Sequence, residues 1–125
     1  MLLYRAGYLA LTSSTKNYRI AAFVFKNRKH IYGKAVNLPK KKHPIQKKYA
    51  YKVKKEKREH LHAEVKAIIR AKGKGDSILV VRILKNKKYA MARPCKICME
   101  AIRETHIKHL WYTGGEGELH YERVG

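Results

Sequence analysis

The run SILVVRIL at residues 77–84 constrains the fold of this chain more than any other segment. It is almost continuously apolar and rich in β-branched residues, which is typical of a strand that is covered on both faces. The neighbouring segments predict helices to cover it. Apolar residues recur at helical spacing from Leu61 to Ala71, and a second helix is predicted over 95–105, with Pro94 in its first turn.

Further segments predict the rest of the fold. The pattern indicates a short helix over 3–14, a hairpin with strands at 20–25 and 30–36 around a turn at Asn27–Lys29, and strands at 107–113 and 119–124. The resulting order, α-β-β-α-β-α-β-β, predicts a mixed sheet with helices packed on it. Only GGEGE separates the last two strands, which is too short for a parallel crossover, so the last strand should run antiparallel to its predecessor.

Length and composition limit the number of domains and the cellular location expected for this chain. The chain has 125 residues, which predicts a single domain over 1–125. No apolar run approaches the length of a membrane span, and the N-terminal segment lacks the features of a signal peptide. We therefore expect a cytoplasmic protein with no membrane partner. Its two cysteines are three residues apart, a spacing that suits a metal site or a redox pair in a reducing compartment.

The charge of the chain is strongly basic and unevenly distributed. The formal net charge is +21, and residues 40–58 carry ten Lys or Arg against one acid. One interpretation is a solvated loop. The other is a segment that binds phosphate groups, with Tyr49 and Tyr51 stacking on bases. The candidate phosphate-binding or nucleic-acid-binding residues are Lys40, Lys41, Lys42, Lys47, Lys48 and Arg58.

The residues that can bind a metal or transfer protons lie at two predicted helix starts. His62 and Glu64 open one helix, and Cys95 and Cys98 open the other. Helix N-termini lower the pKa of a thiol and so favour the thiolate that a metal needs. Three ligands, His62, Cys95 and Cys98, would leave a fourth tetrahedral position open to water, as in a catalytic zinc site, with Glu64 beside it. A closed zinc site or a redox pair is the structural alternative.

The sequence HAE at 62–64 together with PCKIC at 94–98 resembles the H-x-E…P-C-x-x-C signature of the zinc-dependent cytidine deaminase superfamily. The similarity runs from Arg19 to Trp111 and is greatest to small cytidine or deoxycytidylate deaminase-type domains of phages and bacteria. It implies an α/β fold with three α-β-α layers, in which a mixed five-stranded sheet has helices on both faces and an antiparallel last strand.

The resemblance also implies a reaction and roles for residues. Zn²⁺ on His62, Cys95 and Cys98 would activate water, and Glu64 would transfer protons during hydrolytic deamination. Asn37 matches the asparagine of the family that contacts the sugar. The backbone around Ala63 and Arg93 would meet the base. Separately from the resemblance, Trp111 and Tyr112 end a strand near the expected pocket, so we expect one of them to pack in the core and the other, with Tyr112 as the candidate, to form a wall on which the base stacks.

The substrate stays open between hypotheses. Cytosine is favoured over adenine because the chain has HLHAE and lacks the TAHAE context of tRNA adenosine deaminases. An antiparallel last strand resembles the free-nucleoside and toxin-type branches, whereas a histidine ligand resembles the nucleotide, tRNA and polynucleotide branches. The first hypothesis is an enzyme for a cytidine-type nucleotide or nucleoside. The second is a cytosine deaminase acting on single-stranded DNA or RNA, guided by residues 40–58.

The third hypothesis is a non-catalytic, zinc-stabilised nucleic-acid-binding module, and it is weakest because an intact Glu64 serves no structural purpose there. Many relatives assemble, so a homo-oligomer is compatible with the resemblance. A virus-encoded protein expressed in a host cell is also compatible with it.

Overall fold

Six strands form one mixed sheet in the residues that this computed structural model describes, which are 19–27, 30–37, 63–84 and 86–124. The sheet order is β2-β1-β3-β5-β6, and the short β4 pairs with β3 off this path. The strands are β1 Arg19–Lys26, β2 His30–Val36, β3 Ser77–Ile83, β4 Tyr89–Ala90, β5 His109–Thr113 and β6 Leu119–Arg123.

The pairing directions follow from the lengths of the connections. Strand β3 runs parallel to β5, with a helix between them in the chain, while β1–β2, β1–β3, β3–β4 and β5–β6 are antiparallel. The tight turn between β5 and β6 closes with the Gly114 N–H donating to the Glu118 carbonyl at 2.7 Å. The predicted antiparallel last strand is therefore confirmed.

Two helices are described, α1 at Ala63–Ala71 and α2 at Lys96–Arg103. Helix α1 ends where Lys72 and Gly73 adopt positive φ angles of 53° and 82°, so the predicted stop at KGKGD is confirmed. Helix α2 has Cys95 as its N-cap residue. Pro94 therefore precedes the helix and does not belong to its first turn, which corrects the predicted start. Cys95 adopts an extended conformation, as expected of a cap.

The two faces of the sheet carry separate apolar clusters. On the first face, strand residues such as Ala22, Ile78 and Leu110 pack with α1 and α2, and Val65, Ile97 and Ala101 fill the space between the helices. On the second face the cluster consists of strand residues, among them Phe23, Leu79 and Val81, which are nearly inaccessible to solvent. Within the described ranges, both helices lie on the first face, and the helix expected over 3–14 falls outside those ranges.

Gly33 in β2 sets how closely α1 approaches the sheet. A Cβ atom at this position would overlap the carbonyl oxygen of Ala67 and would lie 2.7 Å from the Ala71 nitrogen. Only a residue without a side chain allows the helix backbone to pack directly on the strand. This contact fixes the position of α1, which carries Glu64 in its first turn.

The mixed α/β fold predicted from the sequence is confirmed, with β4 as an additional strand that the pattern did not indicate. Strand β4 has two residues, too few to show a periodicity. No helix in the described ranges has both the length and the apolar character needed to cross a membrane.

Candidate active site and metal centre

The two predicted helix starts meet in the structure. Glu64 lies in the first turn of α1, and Cys95 and Cys98 lie at the start of α2. The Glu64 side chain is 4% exposed and Cys98 is fully buried, while Cys95 is partly accessible. Cys98 interacts with both Cys95 and Glu64, which brings two thiols and one carboxylate together at the helix N-termini.

Neither cysteine forms a disulfide, and the environment of Cys98 departs from the sequence-based expectation. The pKa of Cys98 lies well above its ordinary value, chiefly because burial disfavours the thiolate, with hydrogen bonding to Cys95 and the charge of Glu64 acting in the same direction. The helix N-terminus was expected to lower this pKa, and burial overrides it. A thiolate at this position needs a neighbouring cation.

A zinc ion fits this donor set. Two thiols three residues apart at the start of a helix have the spacing of paired zinc ligands, and a divalent cation would stabilise the thiolate that burial opposes. The described part of the chain holds no group of three or more His, Cys, Asp or Glu side chains placed for a metal. The predicted third ligand, His62, lies outside the described residues.

The loop that precedes Cys95 is hydrogen-bonded to β5. The Thr113 hydroxyl donates to the Ala90 carbonyl at 2.7 Å and accepts from the Arg82 N–H at 3.3 Å. The Ala92 N–H donates to the Thr113 carbonyl at 2.9 Å. Because Thr113 is completely buried, these bonds are shielded from water and hold residues 90–92 against the end of β5.

An ion pair joins the same loop to β6. Arg93 donates from Nε and Nη2 to the two carboxylate oxygens of Glu122, and the Tyr112 hydroxyl donates to Oε2 of the same carboxylate at 2.7 Å. The bonds to Arg93 and Tyr112 lower the pKa of Glu122 to about 2. The pKa values of Arg93 and Tyr112 are raised, in each case first because of hydrogen bonding to Glu122. Arg93 and Tyr112 are thus held together on one carboxylate, that of Glu122.

Comparison with known proteins identifies the family. Residues 2–113 match the family model described as the cytidine and deoxycytidylate deaminase zinc-binding region. The chain belongs to this family. Zinc is accordingly the cofactor of the deaminase, and the superfamily to which the sequence was compared is confirmed. A search of curated proteins gave no match.

Two solved structures are similar to the deaminase. A cytidine deaminase from Burkholderia pseudomallei aligns with a TM-score of 0.65 and 16% identity, over 98% of this chain and 89% of that one. RibD from Acinetobacter baumannii aligns with a TM-score of 0.51 and 20% identity, over 90% of this chain and 27% of that one. At these identities the likeness shows a shared fold.

Asn37 lies just past β2, where its side chain is part of the sheet. Its Oδ1 accepts from the Ile20 N–H at 3.0 Å, and its own N–H donates to the Ile20 carbonyl at 3.1 Å. The amide oxygen thus continues the pairing of β1 with β2. Ala63, whose backbone was expected near the base together with that of Arg93, is completely buried in the cluster that also contains Tyr112.

The structure describes only part of the predicted site. Glu64, Cys95 and Cys98 come together, and Arg93 and Tyr112 share Glu122. His62 and the basic residues Lys40, Lys41, Lys42, Lys47, Lys48 and Arg58 lie outside the described residues, as do Tyr49 and Tyr51.

Sequence reasoning missed Glu122 and Thr113. Glu122 is 29 residues from Arg93 and Thr113 is 23 residues from Ala90, so neither contact has a local signal. The one available hint was Glu122 itself, an acid in a predicted strand of a very basic chain.

Proposed function

We propose that this deaminase hydrolyses the exocyclic amine of cytosine in a cytidine or deoxycytidine nucleotide or nucleoside, releasing ammonia and leaving uracil. The observation that carries the proposal is the meeting of Glu64 with Cys95 and Cys98 at two helix N-termini, in a chain of the cytidine and deoxycytidylate deaminase family. In this proposal His62, Cys95 and Cys98 hold the zinc, which when bound acts as a Lewis acid that lowers the pKa of water.

Glu64 moves the protons. Its carboxylate takes one proton from the attacking water and delivers it to the ring nitrogen N3 as the carbon–oxygen bond forms at C4, and it then carries the second proton of that water to the exocyclic amine. The carbon–nitrogen bond breaks after this second transfer, so that ammonia leaves and the C4 carbonyl of uracil forms. The burial of Glu64 supports this role, because a desolvated carboxylate exchanges protons with the substrate in preference to bulk water.

Other residues bind and orient the substrate. The backbone at Ala63 and Arg93 contacts the base, and Tyr112 lines the pocket, held by its hydroxyl on Glu122. Asn37 contacts the sugar through its side-chain amide, while its Oδ1 stays on the Ile20 N–H.

Deamination of cytosine in single-stranded DNA or RNA is the second candidate. The net charge of +21 favours it, since a mononucleotide carries two negative charges at most. In that case Lys40, Lys41, Lys42, Lys47, Lys48 and Arg58 follow the phosphate backbone. A zinc-stabilised binding module without activity is the weakest candidate, because it leaves Glu64 without a role.

One experiment separates these functions. The zinc-loaded protein is incubated with cytidine, deoxycytidine, their monophosphates, and short cytosine-containing DNA and RNA, and ammonia and uracil are measured. The first proposal expects a monophosphate or nucleoside to be converted fastest, with a weak dependence on salt. Preferred conversion of oligonucleotides, with a rate reduced by neutralising Lys40, Lys41, Lys42, Lys47 and Lys48, would assign the second function. No conversion of any of these substrates would contradict both.

A further inference from the structure

An aromatic cluster lies on the second face of the sheet, at the β5–β6 edge. Tyr121 of β6 stands opposite Trp111 of β5, with ring centroids 4.7 Å apart, and it stacks on His109 at 5.8 Å and an interplanar angle of 28°. The Tyr121 hydroxyl shares a 2.7 Å hydrogen bond with Nδ1 of His109. Residues on alternate positions of a strand share one face, so Leu119 and Arg123 belong to the same surface. We call these five residues the aromatic surface.

This surface is accessible even though its members are held in place. Tyr121 is 45% exposed and Leu119 is 46% exposed, and both rank among the few large hydrophobic side chains with such exposure in the described ranges. Trp111 packs beneath them against the apolar cluster of the second face. A rigid, half-exposed aromatic ring with a fixed hydroxyl offers a flat contact area and loses little conformational entropy on binding.

The charges around the aromatic surface favour an anion at one end. Arg123 is exposed on this surface, at the end of the strand pair where the Val124 N–H donates to the Lys108 carbonyl at 2.9 Å. The Arg93–Glu122 and His120–Glu118 ion pairs of the described ranges do not include Arg123. The acidic residues Glu116 and Glu118 lie at the opposite end, in the β5–β6 turn.

The charge of the chain and the aromatic rings of this surface indicate which class of ligand it binds. A second copy of the chain would bring two bodies of formal charge +21 together, which electrostatic repulsion opposes. A polyanion with flat apolar groups fits both halves of the surface, because unpaired bases stack on aromatic rings while phosphates pair with Lys and Arg. We propose that the aromatic surface binds single-stranded nucleic acid, with a base stacked on Tyr121 and the adjoining phosphate at Arg123.

The proposed binding site is separate from the catalytic centre. Glu122 and Tyr112, which belong to the catalytic side, lie on the helix-bearing face, whereas Tyr121 lies on the other face. Because β6 is an edge strand of the sheet that the described residues form, a nucleic acid chain bound at Tyr121 could continue past that edge without crossing the sheet. This inference goes beyond the conversion of a mononucleotide and does not depend on it.

Intrinsic fluorescence tests the inference directly, because Trp111 is the only tryptophan of the chain. An oligothymidylate and an oligouridylate, each of 15 nucleotides, are titrated into the zinc-loaded Glu64→Gln protein. Duplex DNA of 15 base pairs serves as a comparison. Neither probe contains cytosine, so the catalytic pocket has no substrate. We expect saturable quenching by the single strands and weaker binding of the duplex. The tighter of the two single strands indicates whether DNA or RNA is the natural ligand.

Substitutions test which residues contact the nucleic acid. Tyr121→Ala should weaken single-strand binding by about tenfold, and Tyr121→Phe, which keeps the ring, should retain most of it. Tyr32→Ala is the matched control, since Tyr32 is 38% exposed on the other edge strand, β2. Arg123→Ala should reduce the slope of log K against log salt by about 0.7, whereas Lys34→Ala on β2 should leave it unchanged.

The slope test with Arg123→Ala decides the question even where Tyr121→Ala fails to fold. Equal affinities of the Tyr121→Ala and Tyr32→Ala variants, an unchanged slope in Arg123→Ala, or duplex binding as tight as single-strand binding would overturn the proposal. Loss of deaminase activity on mononucleotides leaves these binding measurements intact, so failure of the proposed reaction is distinguishable from failure of this surface.

Discussion

Arg93 and Glu122 form a two-pronged ion pair in which Nε and Nη2 donate to different carboxylate oxygens, at 2.7 and 3.1 Å. Arg93 stands two residues before Cys95, so the pair ties the loop that enters the metal centre to the edge strand β6. The Arg93 side chain is 48% exposed and that of Glu122 31%. At such exposure an ion pair contributes about 1 kcal/mol or less to folding, and its main effect is on geometry.

We therefore expect loss of this pair to affect catalysis more than stability. Glu122→Ala should lower kcat/KM on cytidine-type substrates by about tenfold to a hundredfold, because the loop before Cys95 loses its anchor. Glu122→Asp should recover part of the loss. Steady-state kinetics together with metal analysis test this, and unchanged kcat/KM in Glu122→Ala would show that the loop is positioned without the pair.

The depressed pKa of Glu122 predicts how stability depends on pH. Its pKa is lowered from 4.5 to about 2, so its stabilising contribution is present above about pH 4.5 and is lost as the pH falls toward 2. Urea unfolding of the wild type and of Glu122→Gln at pH 6 and at pH 2.5 measures this contribution. The wild type should be more stable by about 0.5–1 kcal/mol at pH 6, and the difference should shrink at pH 2.5. A difference that grows on acidification would contradict the assigned direction.

Thr113 offers a cleaner stability test, because its hydroxyl is completely buried. Thr113→Val keeps the shape of the side chain but leaves the Ala90 carbonyl and the Arg82 N–H without this partner. The free energy of unfolding should fall by about 1–3 kcal/mol. Thr113→Ser retains the hydroxyl but loses a buried methyl group, so the decisive comparison is between Thr113→Val and the wild type. Equal stability of Thr113→Val and the wild type would mean that the hydroxyl bonds do not hold the loop.

The elements that carried a local pattern were predicted well from the sequence. Strand β2 was expected from His30 to about Val36 and is found at His30–Val36, and the short GGEGE turn led to the correct direction of β6. The segments HAE and PCKIC singled out Glu64, Cys95 and Cys98, which lie together in the structure, while their roles stay a prediction.

The features that the sequence did not predict depend on burial or on contacts between residues that are distant in the sequence. Gly33 allows α1 to approach the sheet, but a glycine in a strand does not reveal which helix lies above it. The thiol pKa of Cys98 was expected to fall, because its place near a helix start was visible in the sequence and its complete burial was not. Glu122 acquires its role only through the pairing of β5 with β6.

Metal content tests the ligand assignment. We expect one zinc per wild-type chain, and we expect Cys95→Ser, Cys98→Ser and His62→Ala each to lose it or bind it far more weakly. Lys96→Ala is the matched control, since Lys96 is exposed in the first turn of the same helix. Full zinc occupancy in either cysteine variant, or a Cys95–Cys98 disulfide in the purified protein, would contradict the proposed centre.

The central claim is that Glu64 moves protons in a zinc-dependent deamination of cytosine. The most direct measurement compares uracil formation from cytidine and deoxycytidine monophosphates by the zinc-loaded wild type and by zinc-loaded Glu64→Gln. Gln has nearly the same shape as Glu but cannot accept the proton, so turnover should fall by about a hundredfold or more while zinc content and thermal unfolding stay close to those of the wild type. Turnover by Glu64→Gln at the wild-type rate would contradict the account.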